Sequence, residues 1–217
     1  MSKSKKLREI VDEVWLKILQ HPFVLELYSG TLPISKFKYY AIQDYNYLVS
    51  MTKVLSIMSV KAPDLARTKL ALELAYKTIT VEMANYEELL SSLGLSIDEV
   101  VKIEPNPTNI AYMNFLLTTC YTHDYWRIMS ALLPCFWTYR EIALTHKEKL
   151  SKNNVEIYKK WASVYLSDEY AELVKIFITE VDSSPLTIEE MIPFFKLASR
   201  YEYIFWDAAY REEKWPV

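Results

Sequence analysis

Glycine is almost missing from this chain. Only Gly30 and Gly94 occur among 217 residues, and tight hairpins, dinucleotide-binding turns and phosphate-cradling loops all need glycine for positive φ or close backbone approach. Cysteine is as scarce. Cys120 and Cys135 are too few for a disulfide framework, and both lie in apolar helical segments, which fits a reduced, cytoplasmic setting. No uncharged apolar run reaches the roughly 18 residues a membrane-spanning helix needs. The lysine-rich start, Ser2 to Lys6, lacks the apolar core of a secretory signal and reads as a solvated helix entry. The formal net charge is −3, with basic residues scattered along the chain, so nothing points to nucleic acid. The three histidines, His21, His123 and His146, show neither the Glu-x-x-His pattern of di-iron bundles nor a paired zinc spacing, so no metal site is expected. His146, close to Lys147 and Lys149, is expected at the surface, and His21 before Pro22 as a helix cap. A serine-centred elbow is also lacking, which disfavours hydrolases of that type.

What the chain has in abundance is aromatic surface: 17 tyrosines, 8 phenylalanines and 6 tryptophans. Such a count implies an aromatic interior whose hydroxyls need partners. Apolar residues recur at helical spacing from end to end. Leu7, Ile10, Val11, Val14, Trp15, Ile18 and Leu19 predict a first amphipathic helix. A long helix follows from Pro33 to about Val60, and a third from Pro63-Asp64 to Leu93, closed by Gly94. Ser96-Ile97-Asp98-Glu99 and Thr187-Ile188-Glu189-Glu190 are capping boxes. The second opens a last helix to about Glu213. Further helices are predicted over 108–122, 124–150, 154–165 and 168–183, with a loop over 104–108. Sustained period-2 alternation is absent. The reading is an all-α single domain spanning 1–217, without linker or repeat.

Three positions stand out chemically. Residues 131–143, ALLPCFWTYREIA, place Cys135 directly after Pro134, which removes a helical hydrogen bond from the Ser130 carbonyl and should kink the helix. Tyr139 lies one turn on, on the same side as the thiol. Asp44, in QDYNYL, sits mid-helix among Tyr40, Tyr45 and Tyr47, where a carboxylate is expensive unless it is paired or binds something. Glu202, in RYEYIFWDAAY, repeats that arrangement with Phe205 and Trp206. A buried cysteine is often only a small hydrophobe, and either acid could belong to a structural network. Together the three describe a site. Cys120 is expected in the core.

These residues also carry a resemblance. HPFV at His21, GTLPISKFKYYAIQDYNYL at Gly30, PNPTNIAYMNFL at Pro105, ALLPCFWTYREI at Ala131, IYKKWASVY at Ile157 and YEYIFWDAAYREEKW at Tyr201 resemble, in the same order, the TenA family of thiaminase II-type aminopyrimidine aminohydrolases. The resemblance implies a haem-oxygenase-like helical bundle, usually a homotetramer, that acts on aminopyrimidine or thiamin and returns hydroxymethylpyrimidine for thiamin salvage. It implies Cys135 as nucleophile, Asp44 as binder of the exocyclic amine that also helps activate the thiol, and Glu202 as acid/base at a ring nitrogen. Tyr47, Tyr112, Tyr139 and Tyr165 would line the pocket, with Phe205 as an apolar wall. Such chemistry calls for no metal or organic cofactor. Leu166-Ser167-Asp168 depart from the family's glycine-containing run, and Tyr86 stands where relatives can carry histidine, at what is expected to be the rim. The alternatives are a pyrimidine-binding module without chemistry and another haem-oxygenase-like activity.

Overall fold

Helix ends in the computed structural model, which describes residues 1–217, follow local capping chemistry. The first amphipathic stretch is divided by a one-residue turn at Val11 into α1 (Lys3–Ile10) and α2 (Asp12–Leu19). Leu7, Val11, Trp15, Ile18 and Leu19 are buried as their spacing predicts, whereas Ile10 faces solvent. A helix that the periodicity does not mark, α3 (Pro22–Ser29), starts on His21, whose Nδ1 accepts the Phe23 N–H at 3.2 Å. It ends at Gly30, with φ of 81°. The long α4 (Ile34–Lys61) follows Pro33.

The helix expected to run unbroken to Leu93 comes in three pieces: α5 (Leu65–Lys77), a π-helical turn over Thr78–Glu82, and α6 (Met83–Ser92). All four residues after Lys77, Thr78, Ile79, Thr80 and Val81, are β-branched. Their restricted χ1 crowds the preceding turn and weakens regular α geometry there. Then come α7 (Ile97–Val100) on its capping box, α8 (Pro107–Thr122) capped by Asn106, and α9 (Tyr125–Ser151), which continues through Pro134. The chain closes with α10 (Glu156–Ser163) and its 3-10 turn Val164–Leu166, α11 (Asp168–Ser183), and α12 (Ile188–Arg211) on the second capping box. No strand is present, and no helix is long and apolar enough to cross a membrane.

The helices α9 and α12 pack closely along each other, with α4, α8 and α11 around them. Buried apolar side chains from all of these form one continuous cluster. Two expectations are corrected here. His146 is 4% exposed, with Nε2 2.8 Å from the Leu19 carbonyl, because the last turns of α9 lie against α2 and α3. The lysine-rich start is anchored and only partly solvated: Ser4 is buried, its N–H donates to Asp182 at 2.7 Å, and the Lys3 ammonium donates to the Ser184 carbonyl. Cys120 is core as expected, its thiol 3.7 Å from the Val54 carbonyl.

Gly30 has no substitute. Beyond its left-handed φ, a Cβ there would meet Asn153 Oδ1 at 2.5 Å, and the Asn153 amide closes α3 by donating to the Leu27 and Tyr28 carbonyls at 2.9 and 3.3 Å. Gly30→Ala should therefore lose about 2–3 kcal/mol, read as a lower denaturation midpoint at unchanged m-value.

Candidate active site

Three long helices bring the chemistry together: Asp44 from α4, Cys135 from α9 and Glu202 from α12. Between Ile128 and Phe136 every residue is buried except Cys135, so the thiol looks out of an otherwise closed helix face into an internal space. Asp44 accepts hydrogen bonds from Tyr40 at 3.1 Å and Tyr86 at 2.5 Å, both on Oδ2. Since Tyr40 has one proton and gives it to Asp44, the Tyr139 hydroxyl 3.1 Å away must donate to Tyr40. That makes a chain, Tyr139 to Tyr40 to Asp44, with Tyr86 closing it from α6.

The second half of the site is built on Glu202. Tyr112 donates to its Oε1 at 2.6 Å. The ring of Tyr47 lies 5.1 Å from that of Tyr112 and 6.0 Å from Phe205. The Tyr47 hydroxyl is buried without a hydrogen-bond partner, and of the polar groups around it the Cys135 thiol acts on it most strongly. On the other side Tyr139 packs 5.0 Å from Tyr165. Tyr165 stands on the 3-10 turn, where Arg140 Nη1 holds its carbonyl at 2.7 Å and reaches the Ser167 carbonyl at 3.4 Å; the turn without glycine is fixed from α9. All eight residues singled out in the sequence, Cys135, Asp44, Glu202, Tyr47, Tyr112, Tyr139, Tyr165 and Phe205, therefore converge.

Positioning residues lie behind them. Asn109, fully buried one turn before Tyr112, donates to the Gln43 carbonyl at 2.7 Å and to its Oε1 at 3.1 Å. Gln43 Oε1 also accepts the Asn106 N–H at 3.0 Å. This amide network locks α8 to α4 beside Asp44 and sets Tyr112 against Tyr47.

Burial dominates the electrostatics. It pushes the Asp44 carboxyl up to about 6, against the pull of Tyr86 and Tyr40. It pushes Glu202 up to about 7, with Tyr112 opposing and the Asp44 charge adding to the rise. The Cys135 thiol is raised well above its ordinary value, first by burial and then by the Glu202 charge. None of Asp44, Glu82 or Glu202 is paired with a lysine, arginine or histidine. At neutral pH the empty site thus holds a thiol, not a thiolate, beside a carboxyl poised to exchange a proton. The Glu202 charge acts on the thiol more strongly than the Asp44 charge does.

Two residues were not read correctly from sequence. Tyr86 is not at the rim: it is 7% exposed and bonded to Asp44. Glu82, one turn before it at the end of the π-helical turn, was not singled out at all. The only trace in the sequence is the Glu82-x-x-x-Tyr86 spacing, which puts both on one helix face. Elsewhere, a shallow groove along α5 is lined by Leu65, Thr68, Lys69, Leu72, Glu73 and Tyr76, with no cysteine, serine or histidine among them.

A family profile described as TENA/THI-4/PQQC family matches residues 8–212. The chain belongs to that family. Within the TENA/THI-4/PQQC family, an aminopyrimidine aminohydrolase of Bacillus subtilis (strain 168) is 35% identical over 222 residues, 99% of this chain and 92% of the relative. A solved TenA homologue from P. horikoshii OT3 is 43% identical, covers 97% of this chain and 99% of its own, and superposes with a TM-score of 0.94. A Shewanella denitrificans OS217 domain with a haem oxygenase-like fold, 14% identical, covers 96% of this chain and 92% of its own at a TM-score of 0.79. That last likeness concerns the fold alone, and the fold is the haem-oxygenase-like bundle expected for the TENA/THI-4/PQQC family.

Proposed function

We propose that this chain is an aminopyrimidine aminohydrolase, converting 4-amino-5-aminomethyl-2-methylpyrimidine or thiamin to hydroxymethylpyrimidine for thiamin salvage. The observation that carries the reading is the convergence of Asp44, Cys135 and Glu202 from three helices within a shell of tyrosines, Tyr112 donating to Glu202 and Tyr40 and Tyr86 to Asp44. A near-identical length match to a relative bearing that activity supports it.

An aminopyrimidine becomes electrophilic when a ring nitrogen is protonated. Glu202, near neutrality in the empty site, takes the Cys135 proton and passes it to that nitrogen while sulfur bonds the adjacent ring carbon. The 4-amino group then pushes its electron pair through the ring and the 5-methylene loses its substituent, ammonia or thiazole. Positive charge gathers on the 4-amino nitrogen at that moment, and the Asp44 carboxylate, held by Tyr40 and Tyr86, stabilises it. Water adds to the exposed methylene, its proton going to the released ammonia or, where thiazole leaves, to solvent. The carbon–sulfur bond breaks, and the ring nitrogen's proton returns to sulfur through Glu202. No external oxidant or reductant enters. Tyr47, Tyr112, Tyr139 and Tyr165 hold the ring, and Phe205 walls it.

The protein acts as a cytoplasmic homotetramer in this reading. Supporting self-association, Val60, Leu65, Leu72, Tyr76, Ile79 and Val81 leave apolar surface exposed along the end of α4, α5 and the π-helical turn, more than isolated surface residues require. The test of function is direct: the purified protein is incubated with each substrate and hydroxymethylpyrimidine is followed by chromatography. Product from either is expected, the ratio of kcat/KM naming the preferred substrate; absence of product from both overturns the reading.

A further inference from the structure

A buried carboxylate without a cation is a costly way to tie two helices together. Asp44 on α4 is buried, and no lysine, arginine or histidine pairs with it. Its partners are two phenols. Tyr40, one turn earlier on the same helix, donates at 3.1 Å, and Tyr86 donates from α6 at 2.5 Å. Tyr86, Leu90 and Leu93 are buried while Asn85, Glu87 and Glu88 are exposed, so helical spacing sets Tyr86 on the inward face of α6. A purely structural phenol needs only a backbone carbonyl, as Tyr158 finds at Leu32, 2.7 Å away.

Both phenols donate to one oxygen, Oδ2. A carboxylate oxygen offers about two lone-pair sites, so Oδ2 is filled. No group of the protein bonds Oδ1. Nor is Oδ1 sealed, because the enclosed side-chain atoms without a partner belong to Tyr28, Tyr47, Asn109, Trp161 and Trp206. It opens on accessible space with both lone pairs free.

We infer that Tyr86 is a positioning residue: with Tyr40 it pins Asp44 by Oδ2 and so reserves Oδ1 for the exocyclic amine of the ring. The inference rests on the proposed aminopyrimidine reading. The Tyr40 bond is local to α4 and leaves the carboxyl free to turn about χ2, a broad torsion. A second donor arriving from α6 fixes its plane. The same bond favours the ionised carboxyl, which burial opposes, and an amine on which positive charge gathers needs that form.

The experiment uses Cys135→Ala protein, which holds ligands unreacted. Calorimetry compares the aminopyrimidine product, hydroxymethylpyrimidine, with the same ring carrying hydrogen in place of the 4-amino group. Tyr86→Phe, which removes one oxygen atom, is expected to weaken the amino ligand about tenfold and the other by less than about twofold. Tyr170→Phe is the control. Its hydroxyl donates to the Phe136 carbonyl at 3.0 Å, so its loss should leave the ratio of the two affinities unchanged. In an Asp44→Ala background, Tyr86→Phe should cost the amino ligand less than about twofold, since nothing remains to be positioned. With Cys135 intact, Tyr86→Phe should lower kcat more than it raises KM, because the charge on the amine develops only during the reaction. Equal losses for both ligands, no loss for either, an undiminished effect without Asp44, or a rise in KM alone overturns the inference and leaves the aminopyrimidine reading intact. If the amino ring does not bind the Cys135→Ala parent, the functional reading fails and takes this inference with it. Melting curves check the fold of each variant. Should Tyr86→Phe unfold, Tyr40→Phe strips the other donor from Oδ2, and an unselective loss there overturns the inference as well.

Discussion

Cys135→Ser is expected to leave the protein folded and to remove at least about a thousandfold of kcat. The replacement is nearly isosteric in a position whose neighbours on α9, Pro134 and Phe136, are both buried, so packing changes little. What changes is acidity and nucleophilicity. A free thiol titrates near about 8.5, and a hydroxyl is many orders weaker as an acid. Burial and the Glu202 charge already hold the Cys135 thiol protonated, so its ionisation depends on handing the proton to Glu202 at about 7. That transfer is feasible from sulfur and strongly uphill from a hydroxyl. Steady-state assays on both substrates, with thermal melts as control, decide the matter; a variant retaining more than about a tenth of wild-type kcat would remove the nucleophile assignment. Cys120 offers the contrast, a thiol that burial pushes up to about 12 against a backbone carbonyl with no acid to receive its proton.

The acids and the cysteine were legible in the sequence because each lies within one regular helix. A carboxylate amid apolar periodicity, as at Asp44 and Glu202, signals its own cost of burial locally, and α4, α9 and α12 are long enough for helical spacing to name the inward face. The phenol partners were half legible: Tyr40 shares a face with Asp44 at i−4, but its bond to Tyr139 spans two helices. Tyr86 and Glu82 were not legible, because the π-helical turn that ends at Glu82 resets the helical phase there and brings Tyr86 onto Asp44. A strict 3.6-residue count through residues 78–82 cannot carry that shift. His146 was misplaced for a related reason. Its neighbours Lys147 and Lys149 are exposed, and only the packing of α9 under α2 and α3 turns the imidazole inward.

Glu202→Gln separates the chemical role of this carboxyl from its cost to the fold. The amide oxygen can still accept the Tyr112 hydroxyl that now meets Oε1 at 2.6 Å, so the pocket keeps its shape. The variant neither takes the thiol proton nor delivers one to a ring nitrogen, and kcat should fall about 10²–10⁴-fold. Stability should move the other way. In the folded protein burial pushes the Glu202 carboxyl up to about 7 from its ordinary 4.5. Between those two values the folded state holds a proton that the unfolded state has lost, so stability falls as pH rises through this window. The contribution is complete below the unfolded value and gone above about 7. Glutamine has no such proton to lose. At pH 4, below both values, the two proteins should unfold alike, and at pH 8 Glu202→Gln should be the more stable, by up to about 3 kcal/mol from a shift of this size. Asp44, pushed to about 6, leaves a smaller slope of the same sign at lower pH in both proteins. Denaturant titrations at the two pH values, beside kcat, give the test. A variant that is slower and also less stable at pH 8 would mean that Glu202 serves the packing of α12 against α8 and not the proton traffic of the site.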